Sequence, residues 1–479
     1  MTESKPDPAV EALRAKLGVS QQTLLPELAA HTPGEWTATP HGAALLKWAR
    51  EADAVKTVPE TTYTLYRRFR VAGERPSYEG PYFEKRQLLA RAVLSAWVAP
   101  TEERIIRLND LIWSICEETT WVVPAHEKKN EGFIDLFASE TAADLAHALA
   151  LLGDRLNSEI RARVHDEVNR RVLDPYLHHA HEYSWGLGRN NWTGVCAGSI
   201  GQTFLLMEDD PERLAQGIAY VIEHLDKFIA NAFEEDGGCL EGIGYWNYGL
   251  VHFVGFAEML RDRTKGAVDL LANPKLAAIA RYPLVAYLGN GLYASFADAH
   301  EHSTVHPFLA ARFAERYGVK GLLGLTFEET GWPLSTALRN LVWWNGEKPG
   351  EPVLEDAFLP QSGIARFCAP PFVLAIKAGH NDEPHNHNDV GSFVLAAGGQ
   401  VYLCDPGGGL YDASYFGPKR YENVFANSYG HSVPRIGGTL QAPGRTHCGT
   451  IERTGEKSVG IRFEKAYSMA TANPSKKRS

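Results

Sequence analysis

One change of texture, near residue 350, limits what this chain can fold into more than any motif does. Before it, apolar residues recur at helical spacing over 83–98, 103–116, 141–152, 158–173, 212–232, 248–261, 268–280 and 307–316. Asp210-Pro211-Glu212 is a good helix start, a capping carboxylate followed by proline in the first turn. Loops rich in Gly, Trp and His join these segments. After about Glu351 the runs become short and apolar or alternating, as at 372–377, 392–397 and 400–404, and Gly-Gly, Pro-Gly and Asn-Asp turns separate them. That pattern predicts antiparallel β-structure. The boundary falls in the Pro/Gly-rich connector from Trp344 to Pro352. At 479 residues two domains are expected, placed at 1–345 (helical) and 352–479 (β). Helices of similar length followed by loops suggest a toroid or solenoid. The β part is expected to be an incomplete sandwich, because about 130 residues are few for two full sheets.

Composition excludes little but excludes it clearly. A net charge of −10 argues against a general nucleic-acid binder, while leaving room for a basic pocket that takes an anionic ligand. No apolar run is long enough for a membrane span, and Met1-Thr-Glu-Ser-Lys-Pro-Asp-Pro8 lacks the order of a secretory signal. Six cysteines without CxxC spacing fit reduced thiols in a cytoplasm, so a cytoplasmic location is expected. The tail Asn473–Ser479 is polar and basic.

Four clusters could carry chemistry. The densest is His385-Asn386-His387-Asn388-Asp389. Histidines at i and i+2 on an extended segment would share a face and hence a site. Downstream lie Asp405, in Leu403-Cys-Asp-Pro-Gly-Gly-Gly, and His431. Two imidazoles and a carboxylate together make a sensible zinc set, although for any one of these histidines alone a loop residue bonding backbone groups is the better reading. The second is Trp185-Gly-Leu-Gly-Arg-Asn190-Asn191-Trp192, where amides between indoles suit a sugar or its carboxylate, or equally a helix cap. The third, Asp236 to Tyr248, places Tyr245 and Tyr248 at a loop–helix junction. A tyrosine there needs nearby positive charge to serve as a base; packing is the plainer reading. The fourth, Asp298-Ala-His300-Glu-His302-Ser-Thr-Val-His306, has histidine spacing unsuited to one helical face and reads as a groove-lining loop. Trp113 to His126 has a similar character, with His126 either lining a channel or buried in the core.

Taken in this order, over roughly residues 80–465, the motifs resemble the heparinase II/III-like polysaccharide lyases, most specifically in His385 to Phe393 and Cys404-Asp405-Pro406-Gly407. The resemblance implies an (α/α) toroid followed by an antiparallel β-sandwich, a multidomain α + β chain. It implies a carbon–oxygen lyase that cleaves 4-linked uronic-acid glycans by β-elimination. Asn191, Tyr245 and His385 then match the catalytic residues, with Tyr248 as the fallback tyrosine. Asn190, Trp192, Tyr248, His126 and His300 are assigned to substrate. His387, Asp405 and His431 match the ligands of one structural zinc per chain. The implied partner is an acidic oligo- or polysaccharide, with no nucleic acid and no membrane, and a homodimer remains open. Two rival readings are a glycoside hydrolase, which would need two flanking carboxylates from Glu235, Asp236 and Glu241, and a non-catalytic sugar-binding relic.

Overall fold

The computed structural model describes residues 8–18, 24–128, 132–326 and 333–468. The start Met1–Asp7 and the basic tail Asn473–Ser479 lie outside the described residues. The chain divides into a unit of Met1–Phe233, Tyr245–Ala280 and Thr304–Pro352, and a second of Glu234–Gly244, Arg281–Ser303 and Val353–Ser479.

The first unit is helical. Helices expected from periodicity are found as Pro76–Val98, Glu102–Cys116, Leu136–Leu152, Pro211–Asn231, Ile243–Arg263 and Pro307–Tyr317. Asp210 caps the fourth of these, accepting from the amides of Glu212 and Arg213 at 2.9 Å. Two expectations are corrected. The helix expected over 158–173 is α-helical through Val168 and then widens into a π turn, Asn169–Leu173. The stretch 268–280 is a 3₁₀ turn, Leu270–Ala272, and a short helix, Lys275–Ile279. Pro274 between them lacks an amide hydrogen and disfavours a helical residue before it.

One central helix, Asn191–Met207, gives no periodic signal. It packs against both Leu136–Leu152 and Pro211–Asn231, and almost all of its residues are buried. An apolar stripe is no use to a helix covered all round. Small residues let its neighbours approach instead: a Cβ on Gly194 would come within 2.8 Å of the Phe228 ring. Among the described residues no helix is long and apolar enough to cross a membrane.

The second unit holds two antiparallel sheets and a hairpin. The strands are β1 (Tyr287–Gly289), β2 (Leu292–Tyr293), β3 (Ala357–Leu359), β4 (Ile364–Ala369), β5 (Phe372–Lys377), β6 (Gly379–Asn381), β7 (Phe393–Ala397), β8 (Gln400–Leu403), β9 (Gly444–Gly455) and β10 (Ser458–Arg462). One sheet has the order β3-β4-β5-β7-β8, the other β10-β9-β6, and β1 pairs with β2.

Residues 281–303 belong with these sheets although they precede the connector by 41 positions or more in sequence. The reason is apolar burial. Val373 and Ala375 of β5 alternate toward one face and pair with Ala396 and Val394 of β7. Leu288, Leu292, Ala294 and Phe296 cover that face. Each buried large apolar side chain contributes about 1.5–3 kcal/mol. Arg366 of β4 adds a polar clasp, donating to the Tyr287 carbonyl at 2.8 Å and, through Nε, to the Glu355 carbonyl at 3.0 Å.

Candidate functional site

The His385–Asp389 motif is neither a strand nor an extended segment. It is a turn, and His385 adopts a left-handed backbone with φ 56°. The expected same-face geometry is therefore corrected: the two histidines share a site because one carboxylate receives both. That carboxylate is Asp298, whose side chain is 0% exposed.

His385 Nδ1–H donates to Asp298 Oδ2 at 2.7 Å, and His387 Nε2–H donates to Oδ1 at 2.9 Å. The Tyr411 hydroxyl donates to Oδ2 at 3.0 Å and the Tyr415 hydroxyl to Oδ1 at 2.5 Å. Arg420 approaches both oxygens at 3.4 and 3.5 Å. Burial alone would raise the Asp298 pKa, but hydrogen bonds from His385, His387 and Tyr415 hold it far below the usual carboxylate range. Asp298 is thus an anion fixed at the centre of the site. The Nε2 of His385 is left to face Glu241 Oε1 at 3.5 Å, and Glu241 is itself buried.

Three loops bring these groups together within the β-sheet unit. The turn after Asp405 lies so close to the Asp298 segment that a Cβ on Gly407 would sit 2.3 Å from the Ala299 carbonyl; Gly407 also has φ 64°. Ser295 Oγ donates to the Asp405 carbonyl at 3.0 Å. On the other side Gly242 (φ 93°), next to Glu241, would place a Cβ 2.7 Å from that of Ala299. Only glycine meets both demands without strain.

The motif is anchored from beneath. Asp389 takes an ion pair from buried Lys377 at 2.5 Å, and Glu383 takes a second at 3.0 Å. Asn386 and Asn388 are hydrogen-bonded to each other at 3.2 Å, and Asn388 donates to the Gln441 carbonyl at 3.2 Å. The two asparagines therefore shape the loop.

His387, Asp405 and His431, all buried, each offer one ligand atom within 4.8 Å of the others. This set fits a metal ion on two grounds. With Nε2 committed to Asp298, His387 Nδ1 is a buried nitrogen with no hydrogen-bond partner. His431 Nε2 lies 3.0 Å from the Phe425 carbonyl and donates to it, which turns Nδ1 toward Asp405 Oδ2 at 2.7 Å. A neutral imidazole nitrogen and a carboxylate oxygen are both acceptors, so that contact needs a cation. A proton could supply it, because Asp405 holds His431 above the ordinary imidazole range against the opposing effect of burial. A metal ion would also satisfy the vacant Nδ1 of His387.

The remaining expected residues are placed as follows. Asn190 Oδ1 accepts from the Trp192 amide at 3.2 Å, so this side chain caps the helix that follows, the alternative left open by the sequence. Asn191 is buried in the first turn of that helix. His126 is held by Asp135 (2.9 Å) and Arg75 (3.2 Å), with its ring centroid 4.7 Å from that of Trp192. Tyr245 is half-buried near the start of the helix Ile243–Arg263. Tyr248, one turn on, donates its hydroxyl to Glu140 at 3.0 Å. Glu140 Oε1 in turn lies 3.0 Å from His252 Nε2, a contact that needs a shared proton. Burial pushes Glu140 up to about 8 and His252 down to about 3, so the proton sits on the glutamate. His300 is exposed in the β-sheet unit. Of the hydrolase carboxylates, Asp236 is occupied in receiving the amides of Gln361 (2.8 Å) and Ser362 (3.1 Å).

The sequence reading did not assign Asp298, Glu241, Tyr411, Tyr415 or Arg420 to the site. For Asp298 a signal existed. It is a lone carboxylate in the largely apolar run from Leu292 to Ala299, where an acid must be bonded if buried.

The pairing of a helical unit with a β-sheet unit is a fold that known structures share. The fold matches that of a heparinase III (TM-score 0.62, 14% identity, 96% of this chain and 71% of that one). It also matches a heparan sulfate lyase, HepC from Pedobacter heparinus (TM-score 0.51, 14% identity, 95% and 72%). Another heparinase III gives a TM-score of 0.51 at 13% identity, over 92% and 70%. Residues 351–469 match the family profile described as Heparinase II/III-like, C-terminal. The resemblance and the fold class expected from the motifs are therefore found, and the matched segment contains every residue from His385 to His431. No curated protein matches the chain.

Proposed function

We propose that this protein is a polysaccharide lyase acting on 4-linked uronic-acid glycans by β-elimination. The observation that carries the reading is His385, fixed through Nδ1 by Asp298 with Nε2 turned toward Glu241, in the segment that matches the family profile.

In this reaction the C5 proton beside the uronate carboxylate is removed and its electron pair forms the C4–C5 double bond. The 4-linked oxygen departs and takes up a proton. Asn191, in the role the resemblance gives it, donates to the carboxylate and offsets the charge that develops there; losing such a donor typically costs about 10²–10³ in rate. Tyr245 and His385 divide proton removal and proton donation. His387, Asp405 and His431 would hold one zinc ion, whose contribution is to fix the loop that carries His385.

The test is a panel of uronate oligosaccharides followed by ultraviolet absorbance, with and without a chelator. New absorbance from unsaturated ends is the expected result. Saturated reducing ends would indicate a hydrolase, and binding without turnover a sugar-binding relic.

A further inference from the structure

We infer that Asp298 is a positioning residue for two histidines at once, setting the tautomer of the substrate-facing His385 and of the metal-facing His387. The catalytic half of this inference rests on the lyase reading; the metal half does not.

The two oxygens of the carboxylate are divided between the rings. Oδ2 receives Nδ1–H of His385 at 2.7 Å, and Oδ1 receives Nε2–H of His387 at 2.9 Å. Because a carboxylate is acceptor-only, each contacted nitrogen must carry the proton. The pair is thereby locked in opposite tautomers. His385 is left with Nε2, the nitrogen 3.5 Å from Glu241 Oε1. His387 keeps a lone pair on Nδ1, a buried nitrogen without a hydrogen-bond partner, in a residue that offers a ligand atom within 4.8 Å of those of Asp405 and His431. Neither result follows from the rings themselves. One anion imposes both.

Three further features fit a part built for position. Tyr411 and Tyr415 each donate to a different oxygen of Asp298, so the carboxylate cannot rotate without breaking several hydrogen bonds. The backbone is left-handed at Ala297 (φ 57°) and at His385 (φ 56°), two of only four such non-glycine residues among those described. Such conformations persist where the surroundings enforce them. Finally, Asp298 and Ala299 are the segment on which the Asp405–Gly409 turn rests. The carboxylate that orients His387 thus belongs to the wall that seats another ligand's loop. Metal retention and the posture of His385 are in this way coupled through one side chain.

The experiment uses the full chain loaded with zinc. Asp298→Asn keeps the volume but offers one acceptor and one donor, so it can satisfy only one ring. Zinc affinity measured by competition with a chromogenic chelator should fall about 10–100-fold, the usual consequence of losing a partner behind a metal ligand. On uronate oligosaccharides kcat should fall far more than KM changes. His385→Ala should lose turnover and keep wild-type zinc affinity; His387→Ala should lose zinc. Because Asp298→Asn could fail to fold, the wild type is also examined by ¹⁵N NMR of labelled histidines, assigned by the two His→Ala variants. His385 should report Nδ1–H and His387 Nε2–H. Wild-type zinc affinity in folded Asp298→Asn, or the same tautomer at both histidines, would overturn the inference. Absence of turnover by the wild type on every uronate would sink the lyase reading while leaving the zinc and NMR arms decisive for Asp298.

Discussion

Replacing Lys377 by Met should destabilise the β-sheet unit more than its size suggests. The Lys377 ammonium lies 2.5 Å from Asp389 and 3.0 Å from Glu383, and all three side chains are at most 2% exposed. Methionine fills nearly the same volume, so little packing is lost. What remains is two carboxylates buried together without their cation. Breaking a buried ion pair from one side typically costs about 3–5 kcal/mol. With a urea slope of about 3 kcal/mol per molar, the midpoint should fall by about 1–2 M. Burial and the charge of Asp389 raise Glu383 above its ordinary value even with Lys377 present. Without it the Glu383 carboxyl is held higher still, so its folded-state pKa exceeds the unfolded one. Stability from such groups is present below the unfolded pKa and lost as pH rises through the folded one. The deficit should therefore be larger at pH 8 than at pH 5. The control is Lys377→Met/Glu383→Gln/Asp389→Asn, which removes every charge and should recover most of the loss. Urea unfolding followed by circular dichroism reads all of this. A single variant within about 1 kcal/mol of wild type at pH 8, well short of the cost of a broken buried pair, would refute the argument. So would a triple variant no more stable than the single one.

Three further outcomes are expected. Tyr245→Phe should lower lyase turnover by about 10²-fold or more, the usual yield of a lost proton-transfer group, with no change in unfolding midpoint. Tyr248→Phe should instead destabilise the helical unit by about 1–3 kcal/mol, because it strips a donor from buried Glu140. Between pH 6.5 and 8 the buried histidines His147 and His252, with pKa values of about 3, stay neutral, whereas Glu140, at about 8, holds a proton that the unfolded chain has released. The urea midpoint should accordingly fall across that window, and Glu140→Gln should reduce the slope. Asp405→Ala should abolish stoichiometric zinc binding, measured by mass spectrometry of the native protein, and leave the far-ultraviolet circular dichroism unchanged.

What could be read from the sequence, and what could not, follows from how each element is buried. Helices with one solvent face, such as Pro211–Asn231, must alternate polar and apolar residues, and their period is visible. The helix Asn191–Met207 is enclosed by neighbours on nearly all sides, so its period disappears into a run of Gly, Ala and Ser. The strands β5, β7 and β8 were legible because one face is apolar. The hairpin β1–β2 was not, because its apolar residues serve a sheet formed 64 or more positions later in the chain. The site divides in the same way. His387, Asp405 and His431 could be grouped because their chemistry is unusual, and the structure brings their ligand atoms together. Asp298 shows in sequence only as a lone acid in an apolar run, and its partners are defined by tertiary contacts. It lies 87 residues before His385 in a segment whose texture belongs to neither half of the chain. A ligand set can therefore be inferred from residue types, while the group that orients it depends on tertiary packing. That is why the two histidines of the motif were expected to face one way on a strand. In the structure His385 adopts a left-handed turn, and a single buried carboxylate is met by Nδ1 of one histidine and Nε2 of the other.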